Sequence, residues 1–272
     1  MPNHLHWFEC GRGPARGVAL VIHGLNLNPD RMLPVVGLLT AAGLDVLRLS
    51  LRGHGANFTR CAGMDDERAR LESFRSASHA VWMAEVRSAG DQARARADRS
   101  GLPVHLVGYS LGALLGAALL STGPAFERMV LFAPALSLRR WHSLLMAPFT
   151  PFPRLVLPSL AGSDFFANPG TPVAAYNVLM EAVRGFEARD GAGLDIPTLV
   201  VIGRNDELVS CKGIETLIRS RGLRRWRIHR VRRDPGVPRR TPHHLVIDRA
   251  SVGPRAWAAI GRAVSAHLTP RA

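Results

Sequence analysis

The stretch Val104-His-Leu-Val-Gly-Tyr-Ser-Leu-Gly-Ala-Leu-Leu-Gly-Ala117 decides the fold of this 272-residue chain. Its first four residues form a mostly apolar run of strand length, and Leu111 to Leu120 is apolar nearly all round, which in a helix means burial on every side. Between them Gly108-Tyr-Ser-Leu-Gly112 spells G-x-S-x-G, a serine held at the turn from a strand into a helix. The spacing has a physical reason. A serine hydroxyl projecting from the end of a sheet needs a tight, strained turn, and glycines two residues to either side let neighbouring backbone approach it without a Cβ in the way. The helix that follows aims its first amides at negative charge developing there.

Working outward, the same rhythm recurs. Val18 to Ile22, Leu44 to Leu49, Met129 to Phe132, Thr198 to Ile202 and Trp226 to Val231 read as strands. Met32 to Ala42, Ser73 to Ala97 and Pro254 to His267 read as helices, the last with proline at its start. Strands alternating with helices imply right-handed crossovers and a mostly parallel sheet with helices on both faces. The rhythm breaks after Pro134. From Leu136 to Asp195 the chain carries six prolines between Pro148 and Pro172 and one plausible helix, Pro172 to Glu187. The expected organisation is therefore an α/β core of residues 1–135 and 196–272 with an insertion at 136–195.

A serine alcohol attacks a carbonyl only when a base takes its proton. The base should be a histidine late in the chain, oriented by a carboxylate that precedes it in sequence. Asp206 lies just beyond the strand Thr198 to Ile202, at the carboxyl end where such sheets place their chemistry. Glu207 beside it reads as a solvated loop acid, and Asp195, before the strand, as structural. His243 and His244, in Thr241-Pro-His-His-Leu-Val-Ile-Asp248, supply the base, and at this level either serves. His229 reads as a strand residue, His267 as a helix-end residue, and His79 and His142 have no evident partner. An oxyanion hole needs two fixed backbone N–H groups. Leu111, after the serine, offers one, and Leu25, in the His23-Gly24-Leu25 loop, the other; His23 is read as orienting that loop.

Composition narrows the classes. At 47% hydrophobic and 21% charged, the chain is neither collagenous, coiled-coil nor disordered, and no uncharged apolar run reaches membrane-spanning length. Met1 to Gly17 lacks a secretory leader pattern, and the odd, widely spaced Cys10, Cys61 and Cys211 suit free thiols in a cytoplasmic setting, with no metal-ligand spacing. The net charge is +14, and Lys212 is the only lysine among 35 basic residues. Arginines crowd Arg219 to Arg240, but no nucleic-acid motif or aromatic platform accompanies them, so no nucleic-acid partner is expected. The charge leaves room for acidic substrates or weak association with anionic lipid.

Taken together these residues resemble the α/β-hydrolase superfamily, especially its bacterial carboxylesterases, monoacylglycerol lipases and serine aminopeptidases. The matching features are His23-Gly24 after a strand, Arg52-Gly-His-Gly55, the Gly108–Gly112 elbow, Gly203-x-x-Asp206-x-x-Val209, the late His243-x-x-x-x-Asp248, and Trp82 in the helix before the elbow strand. The resemblance spans residue 18 to about residue 268. It implies Ser110 as nucleophile, Asp206 as acid and His243 as base, because relatives carry an acidic residue five positions after the catalytic histidine and Asp248 stands there; His244 is the alternative base. It also implies a Ser-Asp-His serine esterase acting on a small acyl ester without metal or organic cofactor. A thioesterase, lysophospholipase or peptidase with the same triad, and a non-catalytic binding module, are the alternatives. The resemblance makes 136–195 the cap over an acyl pocket, with Leu144, Leu145, Met146, Phe149, Phe165 and Phe166 either lining the pocket or forming the cap's own core. Arg232 to Pro242 departs from the pattern, being longer, more basic and richer in proline.

Overall fold

A computed structural model describes residues 4–11, 13–120, 126–159, 163–189, 191 and 193–269, without the side chains of His142, Ser143 and Ser163. Nine strands and nine α-helices follow one another among these residues. The strands are β1 (Leu5–Phe8), β2 (Gly17–Ile22), β3 (Leu44–Leu49), β4 (Val104–Tyr109), β5 (Arg128–Phe132), β6 (Val156–Pro158), β7 (Gly170–Pro172), β8 (Thr198–Gly203) and β9 (Trp226–Val231). The helices are α1 (Leu33–Ala41), α2 (Asp66–Arg75), α3 (His79–Asp98), α4 (Leu111–Leu119), α5 (Arg140–Met146), α6 (Val173–Glu187), α7 (Cys211–Ser220), α8 (Arg249–Val252) and α9 (Pro254–Leu268).

Seven strands form one sheet in the order β1-β3-β2-β4-β5-β8-β9, parallel except for β1. The apolar runs are continuous because both faces of the sheet are covered. Val18, Leu20 and Ile22 of β2 pack toward the layer holding α3, α4 and α6, while Ala19 and Val21 pack toward α1 and α9. Trp82 of α3 is fully buried and donates its indole N–H to the carbonyl of Arg52, tying that helix to the loop after β3.

Three local readings change. The helix expected over Ser73 to Ala97 is two helices, because Ser78 leaves the helical conformation and caps α3, its hydroxyl accepting from Val81 N–H. Strand β1 went unread because its four residues, Leu-His-Trp-Phe, mix polar and apolar character on a half-exposed edge. Helices α5 and α7 were also unread. Between Leu136 and Asp195 the structure places α5, the short antiparallel pair β6–β7 and α6, outside the main sheet. Among the described residues no helix is long and apolar enough to cross a membrane.

Candidate active site

The chain leaves β2 for β3 on one side and returns to β4 on the other. The loops after β2 and β4 therefore diverge and open a crevice at the carboxyl ends of the strands, the place where open α/β sheets bind ligands. Ser110 follows β4 directly. Its φ of 51° is unusual for a residue with a side chain. Surrounding bonds hold it there: its N–H donates to Phe132 O at 2.9 Å, and its carbonyl accepts from the N–H groups of Leu114 and Ala135, each at 3.1 Å. Gly112 lies so close to the end of β2 that a Cβ would sit 2.4 Å from the carbonyl oxygens of both Ile22 and His23.

Asp206, 1% exposed, comes from the loop after β8. Its Oδ1 accepts from the N–H groups of Leu208 and Val209 at 2.9 and 2.8 Å, and its Oδ2 accepts from His244 Nδ1–H at 2.9 Å. Burial alone would raise this carboxyl's pKa. His244 and the two backbone donors outweigh that and hold it below the ordinary carboxylate value. On the other side of the ring, His244 Nε2 lies 3.0 Å from Ser110 Oγ. One neutral tautomer satisfies both contacts: Nδ1–H donates to Asp206 and Nε2 accepts from the serine hydroxyl.

The geometry corrects the expectation for His243. His243 lines a separate depression with Arg204, Asn205, Arg232 and Arg233, and among the contacts of the described residues none joins its ring to Ser110 or Asp206. The turn closed by Leu245 N–H on Pro242 O lays the His243 carbonyl over Gly203, where a Cβ would come within 2.3 Å of it. That contact sends the next side chain, His244, toward Asp206. Glu207, read as a solvated acid, sets the same segment: its two carboxylate oxygens accept from the N–H groups of His243 and His244 at 2.7 and 3.0 Å. Asp248, whose spacing favoured His243, is engaged elsewhere. It caps α8 through Ser251 N–H and pairs with Arg31 at 2.8 Å. Asp195 is structural as read, accepting from Arg225 N–H, and the side chain of His142 lies outside the described residues.

The loop after β2 carries Leu25. No acceptor among the described residues takes the N–H of Leu25 or of Leu111. Two buried histidines build this loop. His23 Nδ1–H donates to Gly24 O while Nε2 accepts from Leu51 N–H. His54, from the Arg52-Gly-His-Gly55 turn, accepts from Asn26 N–H through Nε2. Asn26 then reaches Asn168 in the 136–195 segment, whose backbone N–H donates to Asn26 Oδ1. Sequence reasoning missed His54, Asn26, Asn168 and Glu207; the turn motif around His54 was the one available signal.

These histidines make stability depend on pH. Burial pushes the pKa of His23 down to about 4 from 6.5, and His54 well below 6.5. His105 in β4 is likewise pushed down to about 4 by burial, and neither of its ring nitrogens has a partner among the described residues. Below pH 6.5 the unfolded chain binds protons that the folded one refuses, so folding stability is complete above that value and is lost as pH falls toward 4. The expected loss is at most about 3 kcal/mol each for His23 and His105. Urea denaturation midpoints that fail to drop between pH 7 and pH 4.5 would contradict this.

Ser110 and His244 open onto a cavity of about 580 Å³, within the usual range of small-molecule sites. Its walls include Leu138, Leu145, Met146, Leu157, Phe165 and Phe166 from the 136–195 segment, together with Leu25. Of the candidate acyl-binding residues, Leu144 instead points to solvent and Phe149 is outside the lining. Among the described residues no group of three His, Cys, Asp or Glu is placed to hold a metal ion.

The family described as serine aminopeptidase, S33, matches residues 13–164. No curated relative matches the chain. Among solved structures, a soluble variant of monoglyceride lipase from Saccharomyces cerevisiae, in complex with a substrate analog, superposes with a TM-score of 0.77 at 14% identity, over 97% of this chain and 90% of that one. A monoacylglycerol lipase from Paleococcus ferrophilus gives 0.66 at 17% identity over 97% of both chains. A structure from work on the metagenome-derived lipolytic enzymes LipS and LipT gives 0.69 at 18% identity over 96% of both. At these identities the likeness establishes the fold, that of the α/β-hydrolases.

Proposed function

The chain belongs to the serine aminopeptidase, S33, family of α/β-hydrolases, and we propose that it is a serine hydrolase that cleaves carboxylic esters through an acyl-enzyme. The observation that carries this reading is the relay of two contacts on one imidazole, Ser110 Oγ at 3.0 Å and Asp206 Oδ2 at 2.9 Å. In the proposed cycle His244 Nε2 takes the Ser110 proton as Oγ attacks the ester carbon. The N–H groups of Leu25 and Leu111 receive the negative charge on the former carbonyl oxygen. The imidazolium, stabilised by Asp206, then gives its proton to the departing alcohol. Water, deprotonated by the same imidazole, releases the acid and restores Ser110.

The apolar cavity wall supports an acyl chain as the group held, and lipolytic neighbours of the same fold agree with it. In this reading residues 136–195 are a cap over the acyl chain and residues 1–135 and 196–272 are the core. The asparagine pair Asn26–Asn168 ties the cap to the loop bearing Leu25. A fluorophosphonate probe, which reacts with an activated serine, tests the proposal. Mass spectrometry is expected to find the adduct on Ser110, and the labelled protein to lose its turnover of a short-chain p-nitrophenyl ester. A folded protein that neither labels nor turns over such an ester would leave a non-catalytic binding module.

A further inference from the structure

We infer that the ester taken by this site carries a phosphate on its leaving group, held by Arg239 and Arg240 at the rim of the cavity. The inference rests on the serine-hydrolase reading above and specifies its substrate class. It starts from Arg232 to Pro242, the stretch where the sequence departs from the resemblance.

That stretch is a built loop. At its start Asp234 accepts from the N–H groups of Arg255 and Ala256, at the first turn of α9, and donates its own N–H to Val252 O. At its end the Arg233 guanidinium donates to the carbonyls of Thr241 and Pro242. Several other arginines of the basic run have structural partners: Arg221 binds the carbonyls of Phe186 and Glu187, and Arg230 pairs with Glu215. Arg239 and Arg240 differ. Both side chains are exposed, both line the cavity that holds Ser110, and neither has a hydrogen bond or ion pair among the described residues.

The charge balance of that cavity favours an anion. Among the described residues Glu207 is the one carboxylate lining it, and both of its oxygens already accept from backbone N–H groups. The residues of the 136–195 segment that line the cavity are mostly apolar, so the site has the polarity of an amphiphile: tail toward those residues, anionic head toward the two guanidinium groups. The anion is assigned to the leaving group because the departing oxygen takes its proton from His244 Nε2, and Arg239 to Pro242, separated from His244 by His243 alone, line the same cavity as it. Two guanidinium groups lining one cavity favour phosphate over carboxylate. One fork saturates a carboxylate, whereas the several oxygens of a phosphate accept from both. The reaction balances as ordinary hydrolysis: the acyl–oxygen or acyl–sulfur bond breaks, the phosphate-bearing alcohol or thiol leaves with a proton, and water supplies the acid's hydroxyl.

The test compares two matched pairs with octanoyl chains at sub-micellar concentration. One sets octanoylglycerol 3-phosphate against monooctanoylglycerol, and the other octanoyl-CoA against its N-acetylcysteamine thioester. In at least one pair the wild-type kcat/KM is expected to favour the phosphate-bearing member by roughly tenfold at low salt, and rising ionic strength should erode that ratio. Which pair responds tells a glycerophosphate head from a nucleotide-bearing one. The double variant Arg239→Gln/Arg240→Gln should bring the ratio near one, and Arg239→Glu/Arg240→Glu below one. A ratio near one in both pairs for the wild type, or one that survives in the double variants, overturns the inference while leaving the hydrolase reading intact. Absence of both fluorophosphonate labelling and p-nitrophenyl ester turnover removes that reading, and the inference with it.

Discussion

A His244→Ala protein is expected to lose about four orders of magnitude or more in kcat on a p-nitrophenyl ester, while His243→Ala stays within about tenfold of the parent. The two residues are neighbours in sequence, alike in chemistry and share Glu207 as acceptor for their backbone N–H groups. They differ in where their rings go. Among the described residues only the His244 ring touches both Asp206 and Ser110, so in the proposed cycle only its loss leaves the hydroxyl proton without a base and Asp206 buried without its imidazole. The small effect allowed for His243 comes through the segment's backbone, which alanine leaves in place. Steady-state kinetics on both variants, with thermal melts to establish folding, decide the point. Equal losses, or a larger loss at His243, would remove the assignment of the base.

Gly112→Val should be among the most damaging single changes in the core of the site. A Cβ at this position would meet two backbone oxygens, of Ile22 and His23, each at 2.4 Å. Neither can swing aside as a flexible side chain would. Ile22 is the last residue of β2, paired with both β3 and β4, and His23 begins the loop that carries Leu25. Relief therefore requires α4 to move away from the sheet, and with it the turn that holds Ser110. A forced backbone shift in a buried helix–strand contact costs roughly 3 kcal/mol or more, enough to lower Tm by about 10 °C in a domain of this size. The expected protein is either insoluble or melts early, and its soluble fraction labels slowly with the fluorophosphonate because the elbow and the Leu25 loop have separated. An unchanged melting temperature would mean that α4 accommodates the bulk and the contact is loose.

How far the sequence reads by itself follows from how local each cause is. The parallel strands were legible because apolar runs buried on both faces leave a mark that needs no distant residue to interpret. The elbow was legible because strand, glycines, serine and helix are contiguous. Asp206 was legible from its place just beyond an apolar strand. The edge strand β1 and the break between α2 and α3 were not, since one depends on pairing with β3 forty residues away and the other on a single capping serine.

The pair His243–His244 marks the boundary most sharply. Chain order and chemistry place a base in that dipeptide and go no further, because adjacent side chains of a turn point in different directions and nothing within the turn says which one meets the serine. The spacing to Asp248 favoured His243, whereas the structure engages Asp248 in the α8 cap and with Arg31, 217 positions earlier in the chain. The choice is made by Gly203 at the end of β8 and by the Glu207 carboxylate, which receive the His243 carbonyl and the two N–H groups as the chain crosses over them. Local sequence thus determined the sheet, the elbow and the kinds of residue gathered at its rim. Tertiary packing decided which imidazole faces Ser110, because that orientation is fixed by contacts with strands and loops from elsewhere in the chain.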